Sequence, residues 1–219
     1  MMAEYIMRSV YVFMLVGAVC IIFLSGCRSV KVDNTPITVV ELPRYLGQWY
    51  EIARFDHYFE RNMEQVVAEY TKLDDGHIQV INSGFKDGNF KTSIGKARVT
   101  TTPGLLRVSF FGPFYSDYRI LMLDENYQYA LVGGSSYEYL WILSRSPVIS
   151  NAVKSMLLVE AQRRGYDIDK LIWVKQDLHK IEFVSEEILV ESDKIRMEND
   201  KVMSEIKEVV TEADIVKTE

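Results

Sequence analysis

Between Trp49 and Leu143 the chain runs in stretches of six to ten residues rich in Val, Ile, Tyr, Phe and Thr, each closed by residues that accept a positive φ or pre-set a turn. The turn clusters fall at residues 74–76, 86–89, 102–104, 116–117, 124–126 and 133–136, and a longer polar loop spans residues 56–64. This rhythm predicts eight antiparallel strands. Eight consecutive strands close into an up-and-down β-barrel with no exposed sheet edge, and an eight-stranded sandwich satisfies the same rhythm. Alternation assigns the faces. Leu106, Val108 and Phe110 share one side, Arg107 and Ser109 the other; Val66, Ala68 and Tyr70 are expected inside, Val67 and Glu69 outside. Tyr139, Trp141 and Leu143 share a face with Arg145. Such a barrel is either packed solid or holds one small ligand.

The period changes after the last strand. Residues 150–164 read as a helix, with Ser150 as N-cap, a stripe of Val153, Met156, Leu157 and Ala161, Arg163 and Arg164 at the C-terminal dipole, and Gly165 beyond it. A short strand is expected over residues 171–175. From Leu178 onward Ile181, Ile188, Ile195, Val202, Val209 and Val216 recur every seven residues, but the matching d positions are Val184 and then Glu191, Glu198, Glu205 and Glu212. A stable coiled coil is therefore poorly supported, which leaves either a narrowly amphipathic helix or a disordered acidic segment over residues 178–219.

Charge sharpens this division. Residues 28–177 hold 18 acidic and 18 basic side chains, whereas residues 178–219 hold 12 acidic and 6 basic, so the whole net charge of -6 resides in the tail. A chain of that balance is not a nucleic-acid binder. The two cysteines, Cys20 and Cys27, both fall in the first 27 residues, so the remainder has no thiol for a disulfide, a nucleophile or a soft metal site. His57, His77 and His179 lie far apart without metal-ligand spacing, and neither G-x-S-x-G nor a phosphate-cradling Gly loop is present, so no metal and no cofactor is expected.

The N-terminus adds a destination. Residues 10–24 are an apolar run of h-region length, short for a membrane span, and Leu24-Ser25-Gly26-Cys27 resembles the bacterial lipobox. Residues 1–26 are accordingly read as a lipoprotein signal peptide, Cys27 as the acylated residue and residues 27–41 as a tether. Arg28, in place of Asp, after the cysteine favours the outer membrane by resemblance to Gram-negative sorting rules, with the protein on its periplasmic face.

Further motifs resemble one family. Gly47-Gln48-Trp49 is similar to the G-x-W signature of lipocalins, Leu123-Asp124 with Tyr127 and Tyr129 to their second motif, and Leu143-Ser144-Arg145 to the third. The flanks, residues 51–57 (EIARFDH), 109–115 (SFFGPFY) and 139–145 (YLWILSR), resemble the bacterial outer-membrane lipocalins, apolipoprotein D-like members of that family. The resemblance covers residues 42–175 and implies an all-β fold, the eight-stranded up-and-down barrel with one flanking helix, in a domain over residues 42–177. It implies structural jobs for Gly47, Trp49 and Arg145, with the Arg145 guanidinium across the Trp49 ring at the closed end. Inward parity then nominates Glu51, Ala53, Phe55, Ala68, Tyr70, Val108, Phe110, Tyr118, Ile120, Met122, Tyr139 and Trp141 as ligand contacts, with Tyr115 in the loop before the sixth strand. Glu51 stands out, since a carboxylate inside an apolar barrel must be paired or protonated unless strand parity breaks there. Family members often carry a disulfide, but Gly133 and Gly134 stand where a cysteine is often found.

The implied function is that of a lipid-anchored binder, not an enzyme, that transports or stores a fatty acid or lysophospholipid at the cell envelope in membrane maintenance or stress response. An enzyme with Glu51 as general base and an adaptor acting through the acidic tail are the competing expectations. A homodimer through residues 111, 114 and 115 and a partner for the tail complete the expected contacts.

Overall fold

The computed structural model describes residues 32–216, so the expected signal peptide and Cys27 lie outside the described residues. A four-residue helix α1 (Leu42–Tyr45) leads into β1 (Gly47–Arg54), β2 (Met63–Lys72), β3 (Ile78–Lys86), β4 (Asn89–Val99), β5 (Leu105–Phe111), β6 (Phe114–Leu123), β7 (Tyr129–Gly133) and β8 (Leu140–Ser144). Each strand pairs antiparallel with the next, and β1 pairs with both β2 and β8, which closes an eight-stranded barrel. The sandwich is thereby excluded. After β8 come α2 (Asn151–Arg163), a 3₁₀ turn, β9 (Ile172–Trp173) paired with Ala53 and Arg54 at the end of β1, beyond its pairing with β2, and α3 (Leu178–Val216).

Three apolar clusters divide the labour. The first faces into the barrel and includes Tyr45, Trp49, Tyr70, Ile78, Val80, Ala97, Leu106, Ile120 and Leu143. The second lies between the outer wall and α2, where Leu157 and Ala161 cover Ile52, Leu121, Leu131, Leu140 and Ile142. Ser150 caps α2 by accepting the Val153 amide, and Gly165 follows at φ 89°. Met156 departs from the expected stripe and faces solvent. The third cluster lies under α3: Val184 and Ile188 cover Val67 and Ile81, and Phe183 packs edge-on against Phe90. The tail is thus a helix whose first turns belong to the barrel wall.

Two sequence expectations need correction here. Ser116 and Asp117 do not form the turn before the sixth strand; that turn is Gly112-Pro113, and both residues lie inside β6. The expected tether is bound from Val32 onward: Asp33 N–H donates to the Arg164 carbonyl at 2.8 Å and Ile37 N–H to the Ile120 carbonyl at 2.8 Å. Arg164 clamps this strap, donating to the Thr35 and Leu121 carbonyls at 2.9 and 2.5 Å while its Nε bonds Glu160 at 2.7 Å.

Candidate ligand-binding site

The closed end is built from backbone carbonyls that need a partner. α1 is too short to satisfy its own, and the Arg145 guanidinium takes over, donating to Tyr45, Leu46 and Gln48 oxygens at 3.0, 2.8 and 2.5 Å. The same guanidinium lies 3.9 Å from the centre of the Trp49 ring, and the Trp49 indole N–H donates to the Tyr45 carbonyl at 2.8 Å. Gly47 turns the chain into β1 at φ 87°, a conformation that favours glycine.

Above this floor three tyrosines from three elements meet. The Tyr45 and Tyr118 hydroxyls are 2.6 Å apart, and Tyr70 donates to Tyr118 at 3.1 Å. Burial pushes all three phenols above their ordinary value, so they remain neutral donors. Three hydroxyl protons serve two bonds, which leaves one to offer elsewhere. Apolar side chains of Ala68, Val80, Val108, Phe110 and Ile120 form the walls. Phe110 lies over Gly95, where an added Cβ would stand 2.8 Å from the ring.

The mouth carries charge. A β-bulge between Glu51 and Ala53 shifts the β1 register against β8, so that Arg54 faces Trp141 across the strands and turns inward. Glu51 and Arg54 then share the interior, with Nη1 donating to Glu51 Oε1 at 2.6 Å and both side chains almost wholly buried. Arg54 Nη2 donates to the Glu60 carbonyl at 2.7 Å, and the Glu60 carboxylate accepts the Trp141 indole N–H at 3.0 Å. One guanidinium therefore pairs with the Glu51 carboxylate and stands near a second carboxyl, that of Glu60, which it bonds at the backbone carbonyl. Burial and the neighbouring Glu60 push Glu51 up to about 8 against the pull of Arg54, and burial raises Glu60 as well. Beside them His57 stacks between Phe59 and Tyr139, at centroid distances of 5.3 and 4.9 Å, and burial holds it down to about 4, so it is a neutral ring at pH 7. Arg54 Nε, His57 Nε2 and Asn82 Oδ1 are buried with no hydrogen-bond partner within the protein.

Of the nominated contacts, Ala68, Tyr70, Val108, Phe110, Tyr118, Ile120 and Trp141 belong to the interior cluster, Glu51 joins them through Arg54, and Tyr139 stacks on Trp141 at the mouth. Four stand elsewhere. Ala53 and Phe55 lie on the outer wall because the bulge reverses parity after Glu51, and Phe55 packs against Tyr166 at 6.1 Å. Met122 is carried outward by a second bulge, between Ile120 and Met122. Tyr115 lies on the outer face of β6 with the Arg98 guanidinium 4.3 Å from its ring centre, a consequence of the turn being at Gly112-Pro113. Sequence reasoning missed Arg54, Glu60 and Asn82. The signal for Arg54 was present: an acid and a base three apart in one strand can meet only across a bulge.

A family model for a lipocalin-like domain matches residues 40–176. The chain is 48% identical over 169 residues to the outer membrane lipoprotein Blc of Escherichia coli K12, covering 74% of this chain and 96% of that protein. It is 42% identical over 175 residues to the outer membrane lipoprotein Blc of Vibrio cholerae, covering 78% and 99%. Among solved structures, a cockroach allergen, Per a 4, superposes with a TM-score of 0.55 at 22% identity over 65% of this chain and 92% of that one, a likeness of fold.

Proposed function

The chain belongs to the lipocalin family, and on that premise we propose that it is an outer-membrane lipoprotein, acylated on Cys27, whose barrel binds a fatty acid or lysophospholipid for transport or storage at the envelope. The observation that carries the reading is the division of the barrel interior into apolar walls, a floor of neutral tyrosine hydroxyls and a buried cluster of Glu51, Arg54 and Glu60 at the mouth. An acyl chain matches the walls, and the unpartnered Arg54 Nε and Asn82 Oδ1 match a polar head group. The names of the bacterial relatives support the destination, and residues 24–27 supply the attachment motif.

The barrel is taken as a binder because the Glu51 carboxyl is already engaged by the Arg54 guanidinium at 2.6 Å, and Trp141 holds the Glu60 carboxylate beside it. Delipidated protein spanning residues 29–219, titrated with lysophospholipid and fatty acid under native mass spectrometry, should take up one ligand per barrel. Trp141→Ala should weaken that uptake while leaving the fold intact. No uptake of either class would reject the reading, and turnover of a bound lipid that Glu51→Gln abolishes would restore the enzymatic one.

A further inference from the structure

Five large aromatic side chains are exposed around one end of the barrel. Tyr58 and Phe59 come from the β1–β2 loop, Phe111 and Phe114 from either side of the β5–β6 turn, and Tyr137 from the β7–β8 loop; Tyr58, Phe111 and Phe114 are each 79% exposed. All three connections lie at the mouth, on the side opposite α1. At the closed end no aromatic side chain is exposed among the described residues. The rim charges nearly balance: Arg61 pairs with Asp56 at 2.7 Å, while Lys86 and Lys91 stand against Asp87 and Glu138.

The strap ties the chain that follows the anchor to the barrel wall. Asn34 Nδ2 donates to the carbonyl of Gly134, the first residue after β7 on the mouth side, at 3.3 Å, and from there the chain descends to Ile37 and to α1 at the closed end. Cys27 precedes Val32 by five residues, a reach of no more than about 18 Å when fully extended. An acyl anchor on Cys27 therefore keeps the barrel beside the membrane that carries it. The helix α3 runs from the mouth toward the closed end. Phe183 touches Phe85 and Phe90 beside the β3–β4 turn at the mouth, and five residues on Ile188 covers Val67 and Ile81 further down the wall, so the acidic tail heads away from that end.

We propose that the aromatic rim at the open end docks onto the phospholipid interface of the membrane that carries the anchor, so that a lipid passes between bilayer and barrel without crossing water. This rests on acylation of Cys27 as proposed above. Phenylalanine and tyrosine rings set around an opening are suited to the headgroup layer, where an apolar body and a wet edge are both satisfied. With the rim near electroneutrality, the attachment depends on ring insertion and is insensitive to salt.

Hydrogen exchange on the full mature lipoprotein in phosphatidylcholine vesicles tests this, with the Cys27→Ala chain in solution as reference. Amides of residues 57–61 and 111–115 should exchange several-fold more slowly in vesicles, while the closed-end loops at residues 101–104 and 124–127 should be unchanged. The double variant Phe111→Ser, Phe114→Ser should lose the protection at residues 111–115 and keep its closed-end pattern and its lipid stoichiometry. Equal exchange in vesicles and solution, or protection of the closed end, overturns the proposal. Rim protection that appears without vesicles, together with a concentration-dependent dimer in sedimentation, assigns the rim to a second copy and overturns it equally. Intact mass of the mature protein reads acylation separately, so a missing anchor is distinguished from an idle rim.

Discussion

Two carboxyls and one guanidinium at the barrel mouth make the stability of this protein depend on pH in a way that can be worked out residue by residue. Glu51 has its folded pKa raised to about 8 from 4.5, so its contribution is fully present below pH 4.5 and is lost as pH rises through 8. His57 has its folded pKa lowered to about 4 from 6.5, so its contribution is present above pH 6.5 and is lost as pH falls toward 4. The two slopes oppose each other at acid pH, and above pH 6.5 the raised carboxyls, Glu51 with Glu60 beside it, set the slope. Denaturant unfolding should therefore show stability falling from pH 6.5 to 8.5, and Glu51→Gln should flatten that limb; an unchanged slope in the variant would refute the assignment. Arg54→Met removes the cation paired with Glu51 and leaves that acid and the neighbouring Glu60 buried without it, a change expected to cost roughly 3–5 kcal/mol, read in the same experiment at pH 7. Glu51 was legible in the sequence as a group that needed a partner, but its partner was not. Counting by twos from Trp49 put Ala53 and Phe55 inside, and the bulge that turns Arg54 inward instead is set by pairing with β8, a strand about ninety residues away.

At the scale of elements the turn residues carried most of the information and the bulges hid the rest. Eight strands, the α2 helix with its Ser150 cap and Gly165 stop, and the β9 strand all follow from local patterns. The β5–β6 connection was placed four residues late because Ser116 and Asp117 have turn chemistry, whereas the neighbours of Gly112-Pro113 are apolar and read as strand; Tyr115 was put in a loop for that reason. Gly95 shows a constraint that no local pattern contains. An added Cβ would stand 2.7 Å from the Ser109 carbonyl and 2.8 Å from the Phe110 ring, so Gly95→Val should destabilise the barrel by about 1–3 kcal/mol; thermal or denaturant unfolding indistinguishable from the parent would contradict this. For α3 the heptad of isoleucines and valines was visible, but the choice between helix and disorder was not, since the faces it covers, Val67 and Ile81, belong to the barrel. Ile188→Asp should detach this helix, so that limited proteolysis trims the chain back toward Asp177 and leaves a folded barrel. Resistance equal to the parent would mean that Ile188 and Val184 do not hold it.

For the whole molecule, closure through β1 explains how a chain with no cysteine after residue 27 holds its shape: the hydrogen-bonded sheet has no free edge at which to open, and the apolar clusters inside and outside the wall brace it. The family motifs made this architecture legible before any contact was known, because the G-x-W turn and the Arg145 position mark the closed end. They carried no information on the strap, which Arg164 and Gly134 hold against the wall. The proposed binder takes its ligand inside the barrel. A second apolar surface competes with it, the groove between β6 and α2 lined by Ile37, Leu121, Met122, Leu123, Met156 and Val159. A lysophospholipid bearing a photoreactive diazirine in its acyl chain, crosslinked to the delipidated protein and mapped by peptide mass spectrometry, separates the two. Binding inside the barrel predicts adducts on Val108, Phe110, Tyr118 and Ile120, competed away by unlabelled lysophospholipid; adducts confined to Met122, Met156 and Val159 would refute it.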